Sequence, residues 1–169
     1  MADARETEPG AAQLLLEQQL CFGLYSASRA MTARYRPLLA AIGLTYSQYL
    51  VMLVLWESGA VGLKALRERL HLDSATLSPL LQRLEQRGLI TRRRPSHDER
   101  TLEISCTAAG HLLYERAVTA QASVERATGL DPRELAALRD DLHRLAARLD
   151  AVESGEAEPA QAAATTVER

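Results

Sequence analysis

The chain has 169 residues, of which 47% are apolar and 25% are charged, and its formal net charge is −2. These values are typical of a globular protein with a sizeable core, and the weak negative charge excludes a protein that coats nucleic acid through its overall charge. No run approaches the roughly 18 apolar residues of a membrane span, and no secretory signal opens the chain, so we expect a cytoplasmic protein that does not bind a membrane.

The two ends of the chain differ in composition from its middle. Residues 1–10 are polar and acidic, and residues 153–169 are rich in Ala, Glu and Thr without apolar periodicity, so both ends are expected to be disordered. Cys21 and Cys106 are expected to be free thiols in a reducing compartment. The four histidines are scattered and no CxxC motif occurs, so no metal or other cofactor is expected.

A long amphipathic helix is predicted from Ala11 to about Arg36, because apolar side chains recur near helical spacing and Pro37 follows as a stop signal. Cys21 lies in this helix, four residues before Tyr25 and fourteen residues, close to four turns, before Tyr35. These spacings place the thiol and both phenols on one stripe of the helix.

A second helix is predicted to begin at a capping box, in which Thr45 is the N-cap and Gln48 follows three residues later. It runs to about Ser58 and is almost wholly apolar, which predicts that it is buried. A third phenol, Tyr46, opens this helix.

Two short helices joined by a tight turn are predicted next, over residues 61–70 and from Ser74 to Gly88. Pro79 lies inside the second of them and should bend it. The pair has the form of a helix-turn-helix, a shape that many helical bundles also contain. Its outward side chains, which we predict to meet a DNA groove, are Ser74, Thr76, Ser78, Gln82 and Arg83.

The spacing of apolar residues then changes to the alternation that is typical of strands. Two strands are predicted, over residues 89–94 and 101–106, on either side of a polar turn. Helix, helix and hairpin in this order is the winged-helix arrangement, here with an arginine-rich hairpin. We predict Arg100 in the minor groove with Asp98 orienting its guanidinium, and Arg92 and Arg94 on phosphates. The alternative is a solvated arginine-rich loop.

Two further helices are predicted over about residues 107–152. Thr107 is a plausible N-cap for the first, and Asp131 is the N-cap of the second, with Pro132 and Glu134 behind it. The second then carries leucines at spacings of three and four, the seam of a coiled coil, at positions 135, 138, 142, 145 and 149. With the helix over 11–36 these elements predict a dimerisation surface around a winged helix of about residues 46–106, the whole forming one domain over residues 11–152. Helices that complete a monomer core are the alternative.

The run from Asp98 to Thr107 resembles the wing of the MarR family of winged-helix regulators: a D-x-R sequence, an apolar strand and a helix-capping threonine. That resemblance covers about residues 11–126 and implies a mainly helical fold with a small β-hairpin wing and flanking dimerisation helices. The family usually has leucine where this chain has Cys106, so an apolar strand position explains that cysteine.

Further segments resemble the OhrR subfamily, the organic hydroperoxide sensors of the MarR family. They are Leu20-Cys21-Phe22 with Tyr25, Met31-Thr32, Tyr35-x-Pro37-Leu38-Leu39, Thr45-Tyr46-x-Gln48-Tyr49, Leu55-Trp56-Glu57 and Leu72-Asp73-Ser74-x-Thr76-Leu77. The resemblance implies a homodimeric repressor, not an enzyme, that leaves palindromic operator DNA when an organic hydroperoxide oxidises Cys21.

By the same resemblance, Tyr35 and Tyr46 reach the thiol from the partner subunit and stabilise its thiolate, and Tyr25 lies nearby. Some members carry a second, resolving cysteine in the helix after the wing, but residues 108–127 contain none. The chain thus resembles the single-cysteine type, in which a low-molecular-weight thiol caps the sulfenic acid.

Three other functions remain open at this point. The tyrosines of a MarR-type regulator can line a pocket for a small aromatic ligand, with Cys21 only structural, since a lone cysteine on an apolar helix face is more often inert packing. A thiol peroxidase would turn over hydroperoxide, but a resolving cysteine for Cys21 is missing. A pure dimerisation scaffold would leave the arginine-rich hairpin without a purpose.

Overall fold

The computed structural model describes residues 14–94 and 102–153. The described residues belong to two compact units, one ending at Val124 and the other beginning at Glu125. The predicted disorder of residues 1–10 and 153–169 falls outside the described residues, except that Glu153 closes the last helix. That residues 11–152 form one domain stays a prediction.

The fold is mainly helical with one small sheet. A 3₁₀ turn, Leu16–Gln18, precedes α1 (Leu20–Ala40), and α2 (Tyr46–Ser58), β1 (Val61–Gly62), α3 (Leu63–Leu70) and α4 (Ser74–Gln86) follow. The chain continues with β2 (Ile90–Arg93), β3 (Glu103–Cys106), α5 (Ala108–His111), α6 (Tyr114–Thr128) and α7 (Pro132–Glu153). This order confirms the predicted winged helix-turn-helix. None of the described helices has both the length and the apolar character that crossing a membrane requires.

The predicted bounds of α1 were wrong at both ends. Leu15 and Gln19 have extended backbone angles, which separate the 3₁₀ turn from α1, so the helix begins at Leu20 rather than near residue 11. At the other end the helix passes through Pro37 and closes at Ala40. Proline removes one helical hydrogen bond, but Leu39 beyond it is fully buried, and that burial holds the last turn in place.

The second helix begins as its capping box predicts. The Thr45 hydroxyl accepts the N–H of Gln48 at 3.3 Å, and the Gln48 side chain accepts the N–H of Thr45 at 3.0 Å. Gln48 is itself buried, and a buried amide without hydrogen bonds would destabilise the fold. The hydrogen bonds with Thr45 remove that cost. Val51, Met52 and Leu55 of the same helix are fully buried, which confirms that α2 lies in the core.

Residues 61 and 62, predicted as the start of a helix, form β1 instead. Val61 pairs with Ile104 and Gly62 with Glu103, so the sheet has three antiparallel strands in the order β1-β3-β2. Val61 and Ile104 are both buried, and the strand pairing brings the start of the helix-turn-helix onto the wing. The helix predicted after Thr107 is also divided, into the short α5 and the longer α6.

The second unit contains α7. Asp131 Oδ1 accepts the N–H groups of Arg133 and Glu134 at 2.7 and 3.0 Å, and Glu134 accepts the N–H of Asp131 at 2.7 Å, which completes the predicted cap. Along the predicted leucine seam, Leu138, Leu142 and Leu149 are 48%, 40% and 60% exposed. Three large apolar side chains of α7 are therefore exposed among the residues that the structure describes.

Candidate nucleic-acid interface and thiol site

Helix α4 presents the side chains that were predicted to meet DNA. Leu77, Leu81 and Leu84 are buried, and the five predicted contact residues of this helix are all exposed: Ser74, Thr76, Ser78, Gln82 and Arg83. At 100° per residue, Ser74, Ser78 and Gln82 lie along one flank of the exposed surface, and Thr76 and Arg83 lie along the other. The exposed residues Ala75 and Pro79 lie between the flanks. The sequence analysis did not assign a contact to either.

The start of α4 is fixed by Asp73. Its carboxylate accepts the N–H of Thr76 at 2.6 Å, and this hydrogen bond lowers the pKa of Asp73. The charged cap also interacts favourably with the helix dipole. Asp73 is therefore ionised at neutral pH, and it fixes where the exposed face of α4 begins.

Arg92 on strand β2 is fastened to α4. Its Nε and Nη2 donate to a carboxylate oxygen of Glu85 at 2.8 and 2.5 Å, and this hydrogen bonding lowers the pKa of Glu85. The ion pair holds strand β2 against the C-terminal end of α4. Arg94 is exposed at the end of the described strand, and the other two predicted wing residues, Asp98 and Arg100, lie outside the described residues.

Cys21 is exposed near the N-terminal end of α1. Tyr25, one turn later, is also exposed, and its hydroxyl accepts a hydrogen bond from Arg29 Nη1 at 2.9 Å. Fourteen residues of α-helix separate Cys21 from Tyr35, which corresponds to about 21 Å along the axis. The predicted stripe is therefore a shared face of α1, and Tyr35 does not contact the thiol of its own chain.

Tyr35 and Tyr46 meet at the far end of α1. Tyr35 is only 9% exposed, and its ring centroid lies 5.4 Å from that of Tyr46 and 5.5 Å from that of Tyr49. Burial raises the pKa of Tyr46, so its phenol stays protonated at neutral pH and keeps a proton to donate.

These phenols border an open aromatic cavity of about 500 Å³. Trp56 continues the cluster, 6.5 Å from Tyr49 and 5.6 Å from Tyr114 between ring centroids. The residues that line the aromatic cavity are Tyr35, Tyr46, Tyr49, Leu50, Leu53, Trp56, Glu57, Tyr114 and Gln121. Tyr49, Trp56 and Tyr114 were not among the predicted site residues. Tyr46, Tyr49 and Trp56 follow one another at spacings of three and seven, so the shared helix face was a signal that could have found two of them.

A protein-family model described as transcriptional regulator SarA/Rot matches residues 33–116. The organic hydroperoxide resistance transcriptional regulator of Bacillus subtilis (strain 168) is 46% identical over 130 residues, which span 77% of this chain and 88% of the relative. The chain belongs to this family of MarR-like winged-helix regulators. It is therefore a DNA-binding transcriptional regulator of the OhrR kind.

Solved structures agree with the sequence relationship. AbfR of Staphylococcus epidermidis matches with a TM-score of 0.70 and 35% identity, over 84% of this chain and 98% of that one. Reduced AbfR bound to DNA matches with a TM-score of 0.68 and 36% identity, over 83% and 98% of the two chains. Overoxidised AbfR has also been solved bound to DNA. The described fold is thus shared with a regulator whose structure is known in complex with DNA.

In this MarR-like regulator the second cysteine has the surroundings of a packing residue. Cys106 is half-buried on β3 and packs against the core, as its apolar position predicted. Burial raises the pKa of the Cys106 thiol, which keeps it in the protonated, weakly nucleophilic form at neutral pH. The two thiols therefore differ in environment: Cys21 is exposed in the single chain, and Cys106 is only partly exposed.

Proposed function

We propose that this regulator is a homodimeric repressor that leaves palindromic operator DNA when an organic hydroperoxide oxidises Cys21. The observation that carries the proposal is the separation of thiol and phenols along α1. Cys21 is exposed near one end of α1, and Tyr35 lies about 21 Å further along the helix axis, where its ring meets that of Tyr46. In an antiparallel pairing of two α1 helices, each thiol meets the phenols of its partner.

Exposed apolar surface supports the homodimer. Leu20 and Leu24 flank Cys21 and are 66% and 36% exposed, and Met31 is exposed further along α1. The leucine seam of α7 is a second uncovered surface. Contiguous apolar surface of this kind usually marks a contact with another protein. A two-fold pair of chains would place two α4 helices about 34 Å apart, the spacing of half-sites in a palindrome.

The proposed chemistry begins with the Cys21 thiolate. Its sulfur attacks one peroxide oxygen, the O–O bond breaks, and the alkoxide that leaves takes up a proton to become the alcohol. Sulfur is oxidised to a sulfenic acid as the peroxide is reduced. A low-molecular-weight thiol then condenses with the sulfenic acid, which forms a mixed disulfide and releases water. Hydrogen bonds from the partner's Tyr35 and Tyr46 stabilise the attacking thiolate, with Tyr25 as a wall of the site.

On the DNA side, the proposed groove contacts are the exposed side chains of α4 described above. Arg94 and, in the wing beyond it, Arg100 with Asp98 extend the contact to the neighbouring phosphates and the minor groove. Arg92 contributes by fixing the wing strand to Glu85 and by adding positive charge toward phosphate. A polar adduct at the α1 contact would shift the two winged helices away from the half-site spacing.

Substitution of Cys21 tests the proposal. The reduced protein is first used to select a tightly bound duplex from a pool of DNA duplexes of random sequence. Release of the protein from the selected duplex is then measured with tert-butyl hydroperoxide and a small thiol present. We expect Cys21→Ser to bind the duplex as tightly as the unsubstituted protein and to stay bound after treatment. The matched control, Cys106→Ser, should still be released. Release of Cys21→Ser to the same extent as the control would exclude the mechanism.

The aromatic cavity favours a second candidate function. A volume of about 500 Å³ lined by phenols and an indole is suited to a small aromatic ligand. A regulator of that kind would release DNA on binding the ligand, with Cys21 structural. The same substitution separates the two functions, because ligand-driven release would not change in Cys21→Ser.

A further inference from the structure

We propose that Trp56 and Thr107 are positioning residues that connect the aromatic cavity to the end of recognition helix α4 through one continuous chain of hydrogen bonds. The inference rests on the proposed function, since it names the route by which an event at the sensor site reaches the DNA-binding surface. It is carried by contacts among α2, α4 and α5, all within the unit that ends at Val124.

The first link is the indole of Trp56. Its ring lines the aromatic cavity, and its plane lies at 82° to that of the Tyr114 ring. Its Nε1 donates to the carbonyl oxygen of Gly110 at 3.2 Å, across 54 residues of sequence. The side chain of Trp56 therefore both lines the cavity and donates a hydrogen bond to the backbone of α5.

The second link is Gly110. A side chain at this position would overlap the carbonyl oxygen of Leu89, lie 2.5 Å from Cys106 Sγ and 3.1 Å from Met52 Cε. Only glycine lets α5 lie this close to Leu89, the residue just after the turn that ends α4. Any movement of Gly110 is therefore passed on to its neighbours, because packed groups leave no space to absorb it.

The third link is the hydroxyl of Thr107. It accepts the N–H of Gly110 at 3.1 Å and donates to the carbonyl oxygen of Gly88 at 2.6 Å. Thr107 also donates its own N–H to the carbonyl oxygen of Leu89 at 3.0 Å. Gly88, with φ at 68°, is the left-handed residue through which the chain turns after α4. One hydroxyl group thus ties the start of α5 to the end of the recognition helix.

The route runs from the Trp56 indole through Gly110 and Thr107 to Gly88. If the indole shifts when Cys21 of the partner is oxidised against the neighbouring phenols, Gly110 loses its donor and α5 is freed from the cavity wall. Because Thr107 bridges α5 and Gly88, the end of α4 is freed with it. Trp56 and Thr107 therefore act on the coupling between oxidation and DNA release, and the oxidation itself does not require them.

Trp56→Phe tests the first link, because it keeps an aromatic ring in the cavity and removes the N–H donor together with the five-membered ring of the indole. The measured quantity is the ratio of the operator Kd after oxidation of Cys21 to the Kd before it. We expect the reduced Kd and the oxidation rate to stay within about threefold, and the ratio to fall by about three- to tenfold, the effect of one neutral hydrogen bond. Tyr114→Phe is the control, since it changes the same cavity without touching the route, and its ratio should match the unsubstituted protein.

The third link has its own pair of variants. Thr107→Val removes the bridging hydroxyl with little change in shape and should lower the ratio of the operator Kd after oxidation to the Kd before it. Thr107→Ser keeps the hydroxyl, so its ratio should match that of the unsubstituted protein.

Trp56 is the single tryptophan of the chain, so its indole N–H gives one resonance in a ¹⁵N–¹H spectrum. We expect that resonance to shift on oxidation of Cys21 and on Thr107→Val, a signature that loss of stability alone would not produce.

The outcomes separate the two proposals. If the unsubstituted protein is not released by oxidation, the proposed function fails and this route falls with it. If the unsubstituted protein is released, and Trp56→Phe and Thr107→Val give the same ratio as their controls, the route alone is overturned. A variant that no longer folds is replaced by its counterpart at the other link, and the ratio of the operator Kd after oxidation to the Kd before it is the readout that both links share. The indole resonance reports only on proteins that keep Trp56.

Discussion

Replacing both Tyr35 and Tyr46 by phenylalanine is expected to slow the oxidation of Cys21 by an organic hydroperoxide by about 100-fold. Each hydrogen bond to a charged group contributes about 1.5 to 3 kcal/mol, and the thiolate that the two phenols stabilise is the species that attacks the peroxide. The rate falls less than the thiolate population, because a more basic sulfur is also more nucleophilic. The Tyr46 phenol is suited to this role, since burial raises its pKa and keeps the proton in place.

Stopped-flow trapping of the Cys21 sulfenic acid gives the rate directly. Tyr25→Phe is the matched control, since it removes a phenol on the helix of the thiol whose hydroxyl is already bonded to Arg29 on the surface. Its rate should lie within about threefold of the unsubstituted protein, the scale of one exposed neutral hydrogen bond. An unchanged rate in the double variant would show that Tyr35 and Tyr46 do not serve the thiol.

Ser78→Glu is expected to reduce affinity for the operator by more than about 100-fold. Ser78 lies on the exposed flank of α4 that also carries Ser74 and Gln82, and a carboxylate there would face DNA phosphates. Like charges brought together at an interface cost several kcal/mol. The fold should not be affected, because the side chain is exposed and the buried leucines of α4 are unchanged.

Ser78→Ala serves as the control at the same position, since it removes the hydroxyl without adding charge. We expect it to weaken binding by about tenfold at most, the scale of a single hydrogen bond. Titrations at several salt concentrations add a second readout, because screening should reduce the difference between the two variants as ionic strength rises. Equal affinity of Ser78→Glu and the unsubstituted protein would remove this flank of α4 from the DNA interface.

Short-range signals gave the most accurate predictions. The capping pairs at Thr45 and Asp131, and the single cap at Thr107, were read from residues two to three positions apart, and the structure forms each of them. The helical period likewise identified the five outward side chains of α4, all of which are exposed. These features are set within a few residues of one another, so local physical chemistry is sufficient to define them.

Features that depend on distant partners were missed. Val61 and Gly62 become a strand because β3, about forty residues later, supplies their hydrogen bonds. Leu39 extends α1 through Pro37 because the core covers it. The choice of one local structure over another was decided by contacts that a window of neighbouring residues does not contain.

The site was predicted unevenly for the same reason. Cys21, Tyr35 and Tyr46 were singled out through their spacing and the subfamily resemblance, and the structure brings the rings of Tyr35 and Tyr46 together. The role of all three at a thiol site stays a prediction. Trp56 and Tyr114 join the cavity from α2 and α6, which are far apart in sequence. The pairing of Arg92 with Glu85 also became visible only in three dimensions. The predicted contact of Arg92 with phosphate stays a prediction beside this ion pair.

Oxidation of Cys21 alone is expected to release the operator. The direct test treats the protein–operator complex with tert-butyl hydroperoxide at up to one equivalent per chain, with a small thiol present, and follows two quantities in the same samples. Intact-protein and peptide mass spectrometry give the fraction of Cys21 modified, and fluorescence anisotropy gives the fraction of duplex bound. Substoichiometric oxidant keeps the chemistry at the sulfenic acid and mixed disulfide, below the overoxidised states.

We predict that DNA release rises in proportion to modification of Cys21 while Cys106 stays a free thiol. Release with Cys21 unmodified, or full conversion of Cys21 to the mixed disulfide with the duplex still bound, would contradict the account.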